Sequence, residues 1–271
     1  MKPFALFLSI YCLLFACPGM AQTVEAHFKA GIAKYNSNDY YGALDEFTKT
    51  IEVKANYPGA YYNRGVVKNK MGKYSDAIGD FSKAIEQYPK YIEAFLNRGI
   101  AKRNLELYGA AIVDYNKALE IDPNYAKAFE NRGIARYNQR DSSGAIVDLE
   151  RSIELDQKNF MPFYNLAKMK KDQGEYKKAI EYYSKSLELN PGYAEAFNNR
   201  GIIKYVTLDY KGAIEDYNKA LELNPKYKEA WYNRGIARII LEDKVNGCVD
   251  LNKALELGYK DAVGVMKEFC K

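Results

Sequence analysis

Five arginines, Arg64, Arg98, Arg132, Arg200 and Arg234, each precede an aspartate by sixteen residues: Asp80, Asp114, Asp148, Asp216 and Asp250. Guanidinium and carboxylate held in register can grip an anionic ligand or simply pair with each other. The remaining reactive inventory is sparse. His27 is the sole histidine, so one chain can assemble neither a His-rich zinc site nor a Ser-His-Asp triad. Carboxylates are plentiful but recur at matched positions, and no stretch carries a unique acid/base pair, so neither catalysis nor a cofactor nor a metal is expected. A net charge of +5, spread along 271 residues, excludes a dedicated nucleic-acid binder with a concentrated basic face. With 48% apolar and 28% charged residues the chain is not globally disordered.

The regular spacing has a simple origin. From Val24 the sequence overlays itself at a period of 34, in windows 24–57, 58–91, 92–125, 126–159, 160–193, 194–227 and 228–261. Position 4 of each window is aromatic or His: His27, Tyr61, Phe95, Phe129, Phe163, Phe197, Trp231. Position 8 is Gly except at Ala167, and position 20 is Ala except at Gly247. Prolines stand at position 32 (Pro89, Pro123, Pro191, Pro225) or close to a window boundary (Pro58, Pro162), so the interiors are free to be helical. At 100° per residue, positions 3, 4, 8 and 10 share one side, and positions 17, 20, 21, 24, 27 and 28 form an apolar stripe. Each window thus reads as two amphipathic helices with a turn near positions 14–16. Small residues at 8 and 20 permit close approach, and only stacked neighbours can cover the stripes. The fold class is all-α.

The Arg at position 7 lies on the core side, and its Asp at position 23 edges the second stripe. The two windows without the Arg also lack the Asp, carrying Ala30/Glu46 and Leu166/Tyr182 instead. Joint loss points to a contact, because an unpartnered buried charge costs several kcal/mol. The five pairs are read as structural ion pairs.

Runs such as Ala230-Trp231-Tyr232-Asn233-Arg234-Gly235 and Asp209-Tyr210-Lys211-Gly212-Ala213-Ile214 resemble the tetratricopeptide repeat over Val24 to about Asp261. The resemblance implies a right-handed superhelical solenoid of antiparallel helix pairs, with the first helices lining a concave ligand groove. The sequence departs from the family pattern at Ala55, Gln157, Tyr259 and Ser142, and in having Lys or Arg throughout position 11.

On that groove face, position 6 is Asn in six consecutive windows: Asn63, Asn97, Asn131, Asn165, Asn199 and Asn233. An amide ladder offers donors and acceptors to a peptide backbone, similar to the ladder in the repeat domain of the O-linked N-acetylglucosamine transferase. The alternative is that these amides bond neighbouring repeats. Position 9 is apolar at Ile32, Val66, Ile100, Ile134, Ile202 and Ile236, an uncommon row for an open face unless curvature packs it away. Tyr62, Tyr164 and Tyr232 at position 5, with Tyr35, Tyr137 and Tyr205 at position 12, extend the row. The fifth window breaks it with Lys168 and Lys171, and Arg103 adds a third cation at position 12, together a basic spot suited to a carboxylate or a product of repeat drift. The carboxylate clamp of chaperone-binding relatives is not matched, since Phe28 and Ile32 stand where it requires Lys and Asn.

The ends differ from the repeats. Lys2 followed by the apolar run Phe4–Cys17 and then Gly19-Met20-Ala21 reads as a signal peptide, residues 1–21. Leu14-Phe15-Ala16-Cys17 also resembles a lipobox, giving a lipoprotein signal of 1–16 and an anchor at Cys17. Either reading exports the chain, as a periplasmic or secreted protein or as an envelope-anchored lipoprotein, with no integral membrane span after processing. After Gly258-Tyr259, residues 260–271 read as a capping helix. An antiparallel turn there brings Cys248 and Cys270 level, as a disulfide or as two buried thiols. The expected function is a non-enzymatic scaffold of the cell envelope that binds an extended peptide or a partner helix. The alternatives are a carbohydrate or peptidoglycan contact module, or a lipid-anchored assembly factor.

Overall fold

The computed structural model describes residues 18–270, with side chains from Thr23. The apolar leader run and the alternative anchor Cys17 lie outside the described residues, and the cleavage position after Ala21 falls within the first helix.

The described residues form helices and turns with no strand. The chain divides between Pro123 and Asn124 into two compact bodies. The first holds α1 (Pro18–Asn36), α2 (Tyr40–Val53), α3 (Pro58–Lys70), α4 (Tyr74–Gln87), α5 (Ile92–Asn104) and α6 (Tyr108–Ile121). The second holds α7 (Ala126–Asn138), α8 (Ser142–Leu155), α9 (Met161–Asp172), α10 (Tyr176–Leu189), α11 (Ala194–Val206), α12 (Tyr210–Leu223), α13 (Lys228–Ile240), α14 (Lys244–Glu256) and α15 (Ala262–Phe269). Each 34-residue window therefore contains one helix pair, and α15 follows the seventh. The closing helix is shorter than the 260–271 expected: Lys260 and Asp261 belong to the turn before it, and Cys270 follows its last residue.

Within each pair the close approach has one cause. The ring or leucine at position 24 of the second helix lies flat against position 8 of the first, where a Cβ on Gly31, Gly65, Gly99 or Gly201 would come within 2.8 Å of a ring carbon. Those rings, Phe47, Phe81, Tyr115 and Tyr217, are fully buried, as is Tyr183 against Ala167. Losing such a ring costs about 3–5 kcal/mol. Leu149 and Leu251 fill the same position in the fourth and seventh repeats.

The turn between paired helices is uniform for a reason that residue types hide. Position 15 has positive φ in every repeat: Asn38, Gly72, Glu106, Arg140, Gly174, Leu208 and Glu242. That left-handed residue reverses the chain in three residues, and only two repeats supply the glycine that adopts it without strain. Asp39, Asp141 and Asp209 then cap α2, α8 and α12 by accepting from the backbone N–H of Gly42, Gly144 and Gly212.

Within each body the first helices of successive repeats touch (α1, α3 and α5 in one, α7, α9, α11 and α13 in the other), while the second helices do not touch one another. The first helices thus lie on the inner side of the stack. A disulfide joins Cys248 to Cys270, with Cα atoms 5.6 Å apart, and ties the end of α15 to α14.

Candidate functional site

Each of the five arginines grips its aspartate inside the repeat. Arg98 donates from Nη2 and Nε to the two oxygens of Asp114 at 2.7 and 3.0 Å, and from Nη1 to Ser82 Oγ of the preceding repeat at 3.0 Å. Its guanidinium also stands 5.5 Å from the centre of the Phe95 ring. The arrangement recurs at Arg64–Asp80 with Thr48, Arg200–Asp216 with Ser184, and Arg234–Asp250 with Asn218. Arg132 grips Asp148 at 2.6 and 2.9 Å. Each aspartate takes a second cation from position 11: Lys68, Lys102, Arg136, Lys204 or Arg238, at 2.7–2.9 Å. Sequence reasoning left these position-11 cations without a role; their four-residue spacing from the Arg, one helical turn, is the signal that connects them. In the two exceptional repeats His27 Nδ1 meets Glu46 at 2.7 Å, and Leu166 is buried in the fourth repeat's core cluster beside Tyr182. Nε and Nη2 of all five arginines are thus engaged by protein side chains.

The asparagines line the inner side, but part of the ladder is consumed. Nδ2 of Asn63, Asn97, Asn131 and Asn165 donates to a carbonyl one turn back, at 2.8–3.0 Å. Asn97, Asn199 and Asn233 donate to the position-5 side chain of the preceding repeat, Tyr62, Tyr164 and Asn198 respectively, at 3.1 Å. Freely offered donors are therefore not what this row presents. A helix brings each amide nitrogen within reach of its own backbone, and it is Nδ2 that these bonds occupy.

Position 9 stays partly accessible. Val66, Ile100, Ile134, Ile202 and Ile236 are half-buried and Ile32 is exposed. The position-5 tyrosines pack instead: the rings of Tyr62, Tyr164 and Tyr232 lie 4.8, 4.9 and 4.6 Å from Tyr91, Tyr193 and Tyr259. Tyr35 and Tyr205 lean on Tyr40 and Tyr210. Burial pushes the Tyr137 hydroxyl up to about 12, helped by its hydrogen bond to the Asp172 carboxylate.

Of the three cations grouped by sequence, Lys168 and Lys171 share α9, while Arg103 belongs to the other body. Lys171 Nζ lies 4.0 Å from Asp172. Lys168 is exposed and lines a small recess with Ile134, Tyr137, Asn138, Leu149, Asn165 and Met169. No group of three or more metal-ligating side chains occurs among the described residues, and no described helix is long and apolar enough to cross a membrane.

The family model "Tetratricopeptide repeat" matches residues 58–91, 162–193 and 194–227, and the model "TPR repeat" matches 105–139. No curated protein matches the sequence. A tetratricopeptide repeat protein from Parabacteroides merdae superposes with a TM-score of 0.69 at 18% identity, covering 92% of this chain and all of that one. MamA gives 0.53 at 28% identity over 60% of this chain and 95% of its own. YrrB, a TPR protein with an unusual peptide-binding site, gives 0.50 at 23% identity over 68% and 95%. Repeated helix pairs, the glycine–ring contact at positions 8 and 24, and the matching family models lead to one conclusion: this chain is a member of the tetratricopeptide-repeat proteins.

Proposed function

We propose that the protein is a scaffold of the cell envelope that holds an extended polypeptide segment along the inner side of its first helices. The observation that carries this reading is the partly accessible branched aliphatic side chains at position 9, with the asparagines of position 6 on the same helices. Apolar side chains give non-directional affinity, and the Oδ1 atoms accept from peptide N–H groups. YrrB, a protein of the same fold, is described by its peptide-binding site. The position-5 tyrosine rings pack against other tyrosines, which favours a polypeptide over the stacking faces a sugar needs. Export rests on the leader-like residues 1–21.

Charge placed on the row tests the reading. Ile202→Glu and Ile236→Glu put a carboxylate on α11 and α13, while Val147→Glu does so on the exposed side of α8. The partner recovered from source cells with the unaltered chain is expected to be lost from the first two variants and kept by the third. Loss only with Val147→Glu would overturn the proposal.

A further inference from the structure

Position 13 closes every first helix, and its chemistry changes along the chain. It is Asn36, Lys70, Asn104, Asn138 and Asp172 in the first five repeats, then Val206 and Ile240 in the last two. Both aliphatic side chains are exposed, as is Leu241 in the turn after α13. A second departure adjoins the first. The cap α15 touches α13 as successive first helices touch one another, so it takes the place of an eighth first helix. It has eight residues, however, where α3, α5, α7, α11 and α13 have thirteen. Beside the last turn of α13, where a full-length helix would continue, lies a cleft of about 370 Å³ lined by Ile236, Ile239, Ile240, Val265 and Phe269. Phe269, the last residue of α15, is at the same time 41% exposed. Glu242 and Lys244 supply the polar edge of the cleft, 3.7 Å apart, with Glu242 82% exposed. Apolar side chains gathered at one face, with a charged edge, mark a docking surface rather than scattered exposure.

We propose that the face formed by α13 and α15 is the interface between two copies of this chain, related by a two-fold axis. A two-fold contact needs a surface that complements itself. Here a partly exposed ring, Phe269, stands beside an apolar cleft able to take the same ring of a second copy. The charges complement themselves as well. An axis passing between Glu242 and Lys244 sets each against the opposite charge of the other copy, so two ion pairs form and the edge carries no net charge. Position 13 turns apolar only in the two repeats nearest this face, which is where such an interface needs it. Phe269 also precedes the bridged Cys270, so the disulfide holds the ring in place before the copies meet. The inner-side groove reading is not needed for this contact.

Sedimentation velocity of the disulfide-bonded chain, from about 1 to about 300 μM, tests the proposal. The mass is expected to move with concentration from one chain to two and no further. Ile240→Asn, which installs the residue of the first, third and fourth repeats, and Phe269→Ser should each weaken association about tenfold or more. Glu242→Lys alone and Lys244→Glu alone set like charges against each other and should also weaken it. The two charge substitutions together restore opposite pairs and should restore association. Both charged side chains are largely exposed, so this swap leaves the fold intact and decides the matter where Ile240→Asn disturbs α13. A single chain at every concentration overturns the proposal, as does growth beyond two chains. So does a double charge variant that associates no better than the single ones. A chain that stays single, while a photoreactive residue at Ile240 captures a different protein in source cells, would give this face to another partner and overturn the two-fold contact.

Discussion

Arg98 and Asp114 form a two-pronged ion pair across the helices of one repeat, and Lys102 closes on the same carboxylate at 2.8 Å. Asp114 is 1% exposed and Arg98 18%, so one buried anion is shared by two cations. The two sides of the pair are therefore unequal. Asp114→Ala strands both cations and should cost about 3–5 kcal/mol. Arg98→Ala leaves Lys102 on the carboxylate and should cost about 1–3 kcal/mol. Hydrogen exchange in α5 and α6 is the suitable measurement, because repeat proteins open locally. Equal losses would contradict a shared carboxylate.

Leu208 is 70% exposed and held at φ 67°. It gives the scaffold little packing and bears the strain of a left-handed turn. Leu208→Gly should raise stability by about 1 kcal/mol, since a non-glycine residue there costs about 1–2 kcal/mol and glycine returns part of that as chain entropy. Urea unfolding of the two proteins side by side checks it; a loss of stability would show that the leucine side chain packs.

Much of this architecture is readable from residue types alone, and the unread parts share a reason. The period, the helix pair and the Arg/Asp register are carried by which residue stands where: Gly133 or Ala145 at a close approach, Arg132 sixteen residues before Asp148. The left-handed turn is invisible at Glu106 or Leu208 because the constraint belongs to the backbone geometry of the repeat. The Asn97 amide looks free in sequence because its choice between ligand, own helix and Tyr62 is decided by side-chain reach.

Cys248 and Cys270 close a loop across the terminal turn, and α15 buries only Ala262 fully. Removing the bond with Cys248→Ser and Cys270→Ser together should cost about 3 kcal/mol by the chain-entropy estimate for a separation of 22 residues. The loss should fall on α15, whose amides would exchange faster with α7 unchanged. Unaltered protection of α15 would show that packing alone holds the cap.

Acid weakens a contact of the opening repeat. The His27 side chain hydrogen-bonds to Glu46, with Lys49 also donating, and together they hold its carboxyl below the ordinary 4.5. A carboxyl with a lowered folded-state pKa stabilises above the unfolded value, and that contribution fades as pH falls from about 4.5 through the lower folded value. Exchange protection in α1 and α2 should decline across that window, and Glu46→Gln should be less protected at pH 7 and flatter below it. An identical acid limb in the variant would assign the loss to other groups.

The central claim is that the inner face of the first helices is the binding surface. A photoreactive amino acid placed at Ile134 on α7, and separately at Glu181 on the outer side of α10, tests it in intact source cells. Cross-linking to a polypeptide at Ile134 and none at Glu181 is the expected result. An adduct at Glu181 with none at Ile134 would contradict the account.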